Sequence, residues 1–335
     1  MEFSNESIFK KIKSNSYIML LLISPKKVVI THLQRIKLNK LFKYLLKVKK
    51  KYLPTTPLLK LSDHSQSIRS VSFDPWGRYL SIGSNENVAI IYCIDTYDPT
   101  LFGKPVARIM GKRSNSITLK DFLVTGSINA VCFSNKGMFF SVGSYDSTSI
   151  IYDATKLIEG KTEEILHLKG HTKPVRSICF SPCDKYFASG GLDKKIIIYG
   201  CDKTNPNQFG KILNNICDHT KSVRSVKFAP LGNLIASGSS DKLAMIFKFY
   251  MTEDNVFTIQ NKFVICKHDR TINSVCFSPS GDYIATCSND KTALIYGVNS
   301  LVERTYAKEI FKIKVSKTIS TACFSSCENY IFLNY

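Results

Sequence analysis

Three sets of residues in this chain have the types and spacing that could do chemistry. His171, Ser189 and Asp193 form one set, His219, Ser237 and Asp241 a second, and His268, Thr286 and Asp290 a third. Each His lies 22 positions before its Asp. A hydroxyl nucleophile, an imidazole base and a carboxylate that orients it are the parts of a hydrolase triad. The same three types can instead hold a loop to a turn. The carboxylate then accepts from backbone N–H groups and from the imidazole, whose other nitrogen meets the hydroxyl. Recurrence decides between the two readings, because a reaction centre is unique and these sets are not. The structural reading is therefore expected and no catalytic residue is assigned. No phosphate-binding G-x-x-x-x-G-K-[ST], no HExxH and no G-x-S-x-G is present, and MGKRS at 110–114 lacks the leading Gly. No Cys/His cluster has zinc spacing, so neither a metal nor a cofactor is expected.

The elements that position these residues follow from a repeat. IRSVSFDPWGRYLSIGSNENVAIIY (68–92), INAVCFSNKGMFFSVGSYDSTSIIY (128–152), VRSICFSPCDKYFASGGLDKKIIIY (175–199), VRSVKFAPLGNLIASGSSDKLAMIF (223–247) and INSVCFSPSGDYIATCSNDKTALIY (272–296) are copies of one unit. A sixth copy, 319–335, reads ISTACFSSCENYIFLNY. The anchoring Phe falls at 73, 133, 180, 228, 277 and 324, and a fixed period of this size marks an array of supersecondary units. Within each copy, β-branched and aromatic runs alternate with Gly/Pro/Asn/Asp/Ser clusters, the signature of strands and tight turns. A fourth strand is expected just before each copy, at LLKL (58–61), ILHL (165–168) and FVIC (263–266). Four short antiparallel strands per unit make a propeller blade. Cys132, Cys179, Cys276 and Cys323 stand immediately before the anchoring Phe, where a thiol packs as a small hydrophobe.

On these motifs the chain resembles the WD40-repeat family over residues 58–335. The hallmark Gly-His is Gly170-His171, while His219, His268 and His64 stand in the same place, and Glu86 keeps the interval from His64. The Trp-Asp ending is absent, with Tyr92, Tyr152, Tyr199, Phe247 and Tyr296 in the aromatic place and Asp only at Asp153. The resemblance implies an all-β propeller of five blades with a partial sixth, truncated inside its second strand and leaving strand edges exposed. It also implies a structural network of Asp, His and Ser or Thr on the three sets above, its last link shortened where Trp is lost. Blade two has Asp146 but Val124 in the His place, and blade one has Ile82 in place of Ser, so these two blades are expected to be less tightly pinned.

The resemblance further implies partner contacts on the narrower face, at the second residue of each first strand. Those positions are Arg69, Asn129, Arg176, Arg224, Asn273 and Ser320, with a second set before the turn Asp at Asn85, Tyr145, Leu192, Ser240 and Asn289. Three Arg on one face suit carboxylates or phosphates, and Lys173, Lys221 and Arg270 lie in adjacent loops. The expected function is a non-catalytic scaffold, within a multiprotein complex or on acidic peptides, with no small-molecule substrate. The alternative is a binder of polyanionic surfaces such as a microtubule, nucleic acid or acidic lipid. No aromatic platform accompanies the Arg residues for stacking bases.

Charge favours keeping that alternative. The formal net charge is +20, and residues 1–60 hold 14 Lys/Arg against 2 Asp/Glu. Residues 32–53, HLQRIKLNKLFKYLLKVKKKYL, space Leu33, Ile36, Leu41, Leu45 and Val48 as one face of a helix among lysines. A basic, partly helical extension is therefore expected over 1–57, with surface contacts through residues 26–51. Residues 67–92 and the basic insertion KPVARIMGKRSNS (104–116) faintly resemble the propeller start of nemitin-type microtubule-associated WD-repeat proteins, which implies an acidic tubulin tail as partner. The longest apolar run, YIMLLLI (17–23), is too short to span a bilayer. The 11 Cys form no dense framework, so reduced thiols and an intracellular place, cytoplasmic rather than nuclear, are expected.

Overall fold

A computed structural model describes residues 19–24 and 27–29 and, apart from short stretches, 59–110, 126–298 and 308–334. Strands β1 (Met19–Ser24) and β2 (Lys27–Val29) come first. Repeat one forms β3 (Ile68–Phe73), β4 (Tyr79–Ser84), β5 (Val88–Cys93) and β6 (Pro105–Met110). Repeat two forms β7 (Ile128–Phe133), β8 (Phe139–Ser144), β9 (Ser149–Asp153) and β10 (Glu164–Leu168), with a short helix α1 (Ala154–Ile158) between the last two. Repeat three forms β11 (Val175–Phe180), β12 (Tyr186–Gly191), β13 (Ile196–Gly200) and β14 (Ile212–Ile216). Repeat four forms β15 (Val223–Phe228), β16 (Leu234–Ser239), β17 (Leu243–Met251) and β18 (Phe257–Lys267). Repeat five forms β19 (Ile272–Phe277), β20 (Tyr283–Ser288), β21 (Thr292–Gly297) and β22 (Lys308–Lys314), and copy six adds β23 (Thr321–Phe324) and β24 (Tyr330–Asn334).

Each of the five full repeats is one four-stranded antiparallel sheet, and the fold is an all-β propeller of five blades plus a sixth sheet. The sixth sheet runs β2-β1-β24-β23, so the outer edge of β24 is not exposed but takes β1, in parallel register from Met19↔Tyr330 to Ile23↔Asn334. Of the expected fourth strands, ILHL and FVIC lie in β10 and β18 and pair as outer strands of the preceding repeat. The segment at 58–61 is different: Leu59 and Leu61 are described and neither is in a strand. The outer strand of blade one is β6, built from the PVARIM part of the basic insertion. The helical pattern at 32–53, Val124 and residues 111–116 lie outside the described residues.

Blades pack because adjacent sheets exchange apolar side chains against small residues. Ile128 and Val131 of blade two lie against Gly83 of blade one, where an added Cβ would sit 2.7 Å from Ile128. Gly143, Gly190 and Gly238 meet the next blade in the same way, at 2.9, 2.7 and 2.7 Å. Blade five has buried Cys287 at this position, and the facing residue in β23 shrinks in step to Ala322. Serines stitch the inner strands together. The Val131 N–H donates to Ser70 Oγ at 3.1 Å, Val226 to Ser177 at 3.0 Å and Val275 to Ser225 at 3.1 Å.

The hairpin between the first two strands needs a left-handed residue. Gly77, Gly137, Gly232 and Gly281 supply it, but Asp184 (φ 61°) and Glu328 (φ 59°) stand there in blade three and the sixth sheet. Asp184 uses the position to accept the Asn135 and Lys136 backbone N–H groups of blade two, both at 2.8 Å. Glu328 accepts the Ser280 N–H of blade five in the same manner. The carboxylate thus clamps the neighbouring hairpin and offsets the strain of its own conformation.

Candidate functional site

Three loop-to-turn networks form at one end of the blades. His171 Nδ1 lies 2.9 Å from Asp193 Oδ1 and its Nε2 2.8 Å from Ser189 Oγ. The matching distances are 2.8 and 2.7 Å for His219 with Asp241 and Ser237, and 2.7 and 2.9 Å for His268 with Asp290 and Thr286. With Nδ1–H donating to the carboxylate, Nε2 accepts from the hydroxyl. Each carboxylate also accepts the next backbone N–H of the His loop, from Thr172, Thr220 or Asp269. Burial alone would raise the carboxyl pKa of Asp193, Asp241 and Asp290, but these hydrogen bonds and the neighbouring imidazole hold all three below the usual range. Burial also pushes the His268 imidazole down, against the opposing pull of Asp290.

The distances alone would suit a triad. However, Ser189, Ser237 and Thr286 are wholly buried, so no substrate carbonyl can reach these hydroxyls. They sit mid-strand, on β12, β16 and β20, and the Asp sits in the turn that follows. The residue after each Asp adopts positive φ (Lys194 74°, Lys242 77°, Lys291 70°), a conformation the turn's carboxylate hydrogen bonds support.

In blade three the Tyr199 hydroxyl comes under the influence of Ser189, which opposes the burial that pushes its pKa up to about 12. Phe247 has no hydroxyl to offer. In blade two, Asp146 accepts from Thr148 at 2.9 Å and the Tyr152 hydroxyl has no partner among the described residues. In blade one, His64 meets Glu86, which also accepts from Ser65 and Ser84. Burial works against that carboxyl, but the bonds from Ser65, His64 and Ser84 bring it down to about 2. His64 Nε2 finds no partner among the described residues, and Ile82 stands at the repeat position where the other blades carry the hydroxyl.

The interaction positions occupy the same end. Arg69 Nε donates to Asn85 Oδ1 at 2.6 Å and Arg224 Nε to Ser240 Oγ at 3.1 Å, each joining a residue of the first set to one of the second. Asn273 pairs with Asn289 at 2.6 Å and also donates to the Ile319 carbonyl at 2.8 Å. Asn129 is buried and donates to the Val175 carbonyl at 2.9 Å. These two Asn side chains therefore hold one blade to the next. Arg176 is different: the second-set residue beside it is Leu192, which cannot accept, and its buried Nε has no partner among the described residues. Burial lowers its pKa and the charges of Arg224 and Arg69 lower it further, with no carboxylate among the influences on it. Tyr145, Lys173, Lys221 and Arg270 are exposed nearby in the sequence of loops.

Around the inner strands, Lys227 lies near Cys132, Cys179 and Cys276. Burial dominates these thiols, and it pushes Cys179 and Cys276 up to about 12 despite Lys227. They stay protonated at neutral pH and are poor nucleophiles. Among the described residues no cluster of His, Cys, Asp or Glu has the arrangement to hold a metal, and no helix is long and apolar enough to cross a membrane.

The family model described as WD domain, G-beta repeat matches residues 55–93, 117–153, 162–200, 210–248 and 260–296, more than half of the chain. The chain belongs to the WD40-repeat family. Each match covers the three inner strands of one of the five complete blades, and the third, fourth and fifth matches also take in the outer strand of the preceding blade. No curated protein matches the chain. WD40 propellers are typically non-catalytic platforms for protein interaction, and the fold here is consistent with such a scaffold.

The spacing of His to Asp located the networks, whereas three contributors were not read from sequence. They are the Asp184 and Glu328 clamps, the serine stitches and the Leu192 that leaves Arg176 unpaired. A signal existed for the first, since Asp and Glu replace Gly in an otherwise Gly-bearing hairpin.

Proposed function

We propose that this WD40 propeller is a scaffold that captures an acidic segment of a partner protein on the face bearing Arg69, Arg176 and Arg224. One observation carries the reading: Arg176 has a buried, unpartnered Nε and is repelled by two further guanidiniums. Arg176 is half-buried, and a partly desolvated cation whose Nε lacks a partner carries a cost that a ligand carboxylate pairing with it reduces. Arg presents a planar fork suited to two carboxylate oxygens at once. A fluorescein-labelled hexaglutamate peptide tests it by polarisation. Binding is expected to weaken roughly tenfold or more in Arg176→Gln and only slightly in Lys173→Gln. Equal affinity in wild type and Arg176→Gln would overturn it.

A second reading, attachment to a polyanionic surface through residues 26–51, rests on the 14 Lys/Arg against 2 Asp/Glu in residues 1–60. Neutralising Lys40, Lys43, Lys47, Lys49 and Lys50 to Gln is expected to remove binding to microtubules or to vesicles rich in phosphatidylserine, and to flatten its salt dependence. Unchanged binding would rule this reading out.

A further inference from the structure

Arg176 differs from Arg69 and Arg224 in what surrounds it. In blades one and four the residue 16 positions after the Arg stands beside its guanidinium. Arg69 Nε reaches Asn85 at 2.6 Å and Arg224 Nε reaches Ser240 at 3.1 Å. A backbone bond sets that place, from the Asn85 N–H to the Ser67 carbonyl at 3.0 Å and from Ser240 to Ser222 at 2.9 Å. Blade three makes the same bond, from Leu192 to Pro174 at 2.9 Å. The half-buried side chain of Leu192 thus takes the place of a polar acceptor beside Arg176.

The preceding blade supplies a second apolar wall. Tyr145 holds the position before the turn Asp in blade two and is 57% exposed. Asn129, the interaction residue of that blade's first strand, donates to the Val175 carbonyl, one residue before Arg176. Blade five shows what this arrangement brings together. There one Asn273 nitrogen serves both the Ile319 carbonyl of the next sheet at 2.8 Å and Asn289 of its own blade at 2.6 Å. Asn289 holds the place of Tyr145, so this place lies at the boundary with the next blade. Tyr145 accordingly acts on the Arg176 guanidinium, together with Arg224 and Arg69.

The Arg176 cation therefore stands between an aliphatic and an aromatic side chain, whereas Arg69 and Arg224 have polar residues beside them. A carboxylate alone would use the guanidinium and leave both walls in water. An apolar side chain next to that carboxylate covers the walls, removes apolar surface from water and keeps water from the ion pair, which strengthens it.

We propose that the Arg176 subsite selects a partner segment in which an acidic residue stands next to a large aliphatic one, the carboxylate on Arg176 and the aliphatic side chain between Leu192 and Tyr145. This inference rests on the Arg face being a site for acidic segments, and it names the sequence feature that the site selects.

The test titrates three fluorescein-labelled peptides against the full chain by polarisation: hexaglutamate, Glu-Glu-Glu-Leu-Glu-Glu and Glu-Glu-Glu-Gln-Glu-Glu. The last two carry equal charge. Wild type is expected to bind the Leu peptide roughly fivefold or more tighter than the Gln peptide, as for partial burial of one Leu side chain. In Tyr145→Ala with Leu192→Ala the two peptides are expected to bind about equally, while hexaglutamate keeps close to its wild-type affinity, since alanine offers Arg176 no competing acceptor. If Leu192→Ala lowers the unfolding midpoint, Tyr145→Ala alone, at an exposed position, repeats this arm, and the wild-type ratio needs no variant. Equal binding of the Leu and Gln peptides by wild type overturns the inference, and the Arg-face reading still stands where Arg176→Gln weakens hexaglutamate. A preference undiminished in the variant places the apolar contact elsewhere and also overturns it. Hexaglutamate binding that Arg176→Gln leaves unchanged overturns the Arg-face reading and this inference with it.

Discussion

Thr286→Val removes one hydroxyl and little else. Thr286 is fully buried on β20 and its Oγ1 lies 2.9 Å from His268 Nε2. Val fills nearly the same volume, so no cavity forms and the change reports the hydrogen bond. Because His268 Nδ1 is committed to Asp290 at 2.7 Å, Nε2 is the acceptor and loses its donor. A buried polar atom left without a partner costs about 1–3 kcal/mol. That is a roughly 5- to 150-fold rise in the unfolding equilibrium constant. Blade one shows the same state in the wild type, where Ile82 replaces the hydroxyl residue and His64 Nε2 is buried with no partner among the described residues. Urea denaturation gives the global loss, and hydrogen exchange gives the local one. The amides to follow are His268, which donates to the Lys242 carbonyl at 2.9 Å, and Asp269, which donates to Asp290 at 3.1 Å. Both should exchange faster. Thr286→Ser restores the hydroxyl and should recover most of the loss, while Thr172→Val on an exposed loop should stay within about 0.5 kcal/mol of wild type. A loss for Thr286→Val no larger than that of Thr172→Val would refute the network as a source of stability.

Other tests address packing, the hairpin clamps and pH. Gly190→Ala places a Cβ 2.7 Å from both Val223 and Val226, and overpacking at this blade interface should lower stability by about 1–3 kcal/mol in urea. Asp184→Ala loses two N–H acceptor bonds and keeps a positive φ, so a loss of roughly 2–4 kcal/mol is expected, with Asp184→Gly milder because glycine tolerates that φ. Acidification should destabilise the protein in two windows. The unfolded chain protonates His268 near its ordinary value of about 6.5 while the folded imidazole resists, so stability falls as pH drops below about 6.5. The depressed carboxyls of Asp193, Asp241 and Asp290 contribute above the unfolded value of about 3.9, and that contribution is lost as pH falls through their lower folded values. Midpoints at pH 7.5, 5.5 and 3.5 check both windows, and His268→Gln should flatten the first.

Local chemistry was the part legible in the sequence. The anchoring Phe, the hairpin Gly and the His-to-Asp interval repeat because every blade solves the same packing problem. The distance from His219 to Asp241 in sequence is enough to bring the loop of one strand end over the turn of another. What could not be read depends on partners distant in the chain. LLKL at 58–61 has strand-forming residues, but a segment before the first copy has no preceding repeat to pair with, and Leu59 and Leu61 lie outside any strand. The pairing of β1 with β24 joins residues more than 300 apart in sequence and runs parallel, and no local pattern announces it. Arg176 and Arg224 look alike in sequence, since each is the second residue of its strand. Their difference arises from the residue 16 positions later, Ser240 for Arg224 and Leu192 for Arg176. Asn129 and Asn273 look like surface residues by position, yet their amides reach the carbonyl of the next blade.

Selection of the partner by the Arg face is proposed, and one comparison tests it most directly. Tagged full-length protein and an Arg69/Arg176/Arg224→Gln variant, matched for unfolding midpoint, should be used in parallel affinity capture with quantitative mass spectrometry. The expected result is that a subset of acidic partners falls at least tenfold in the variant while other captured proteins are unchanged. Identical partner profiles from the two proteins would contradict it.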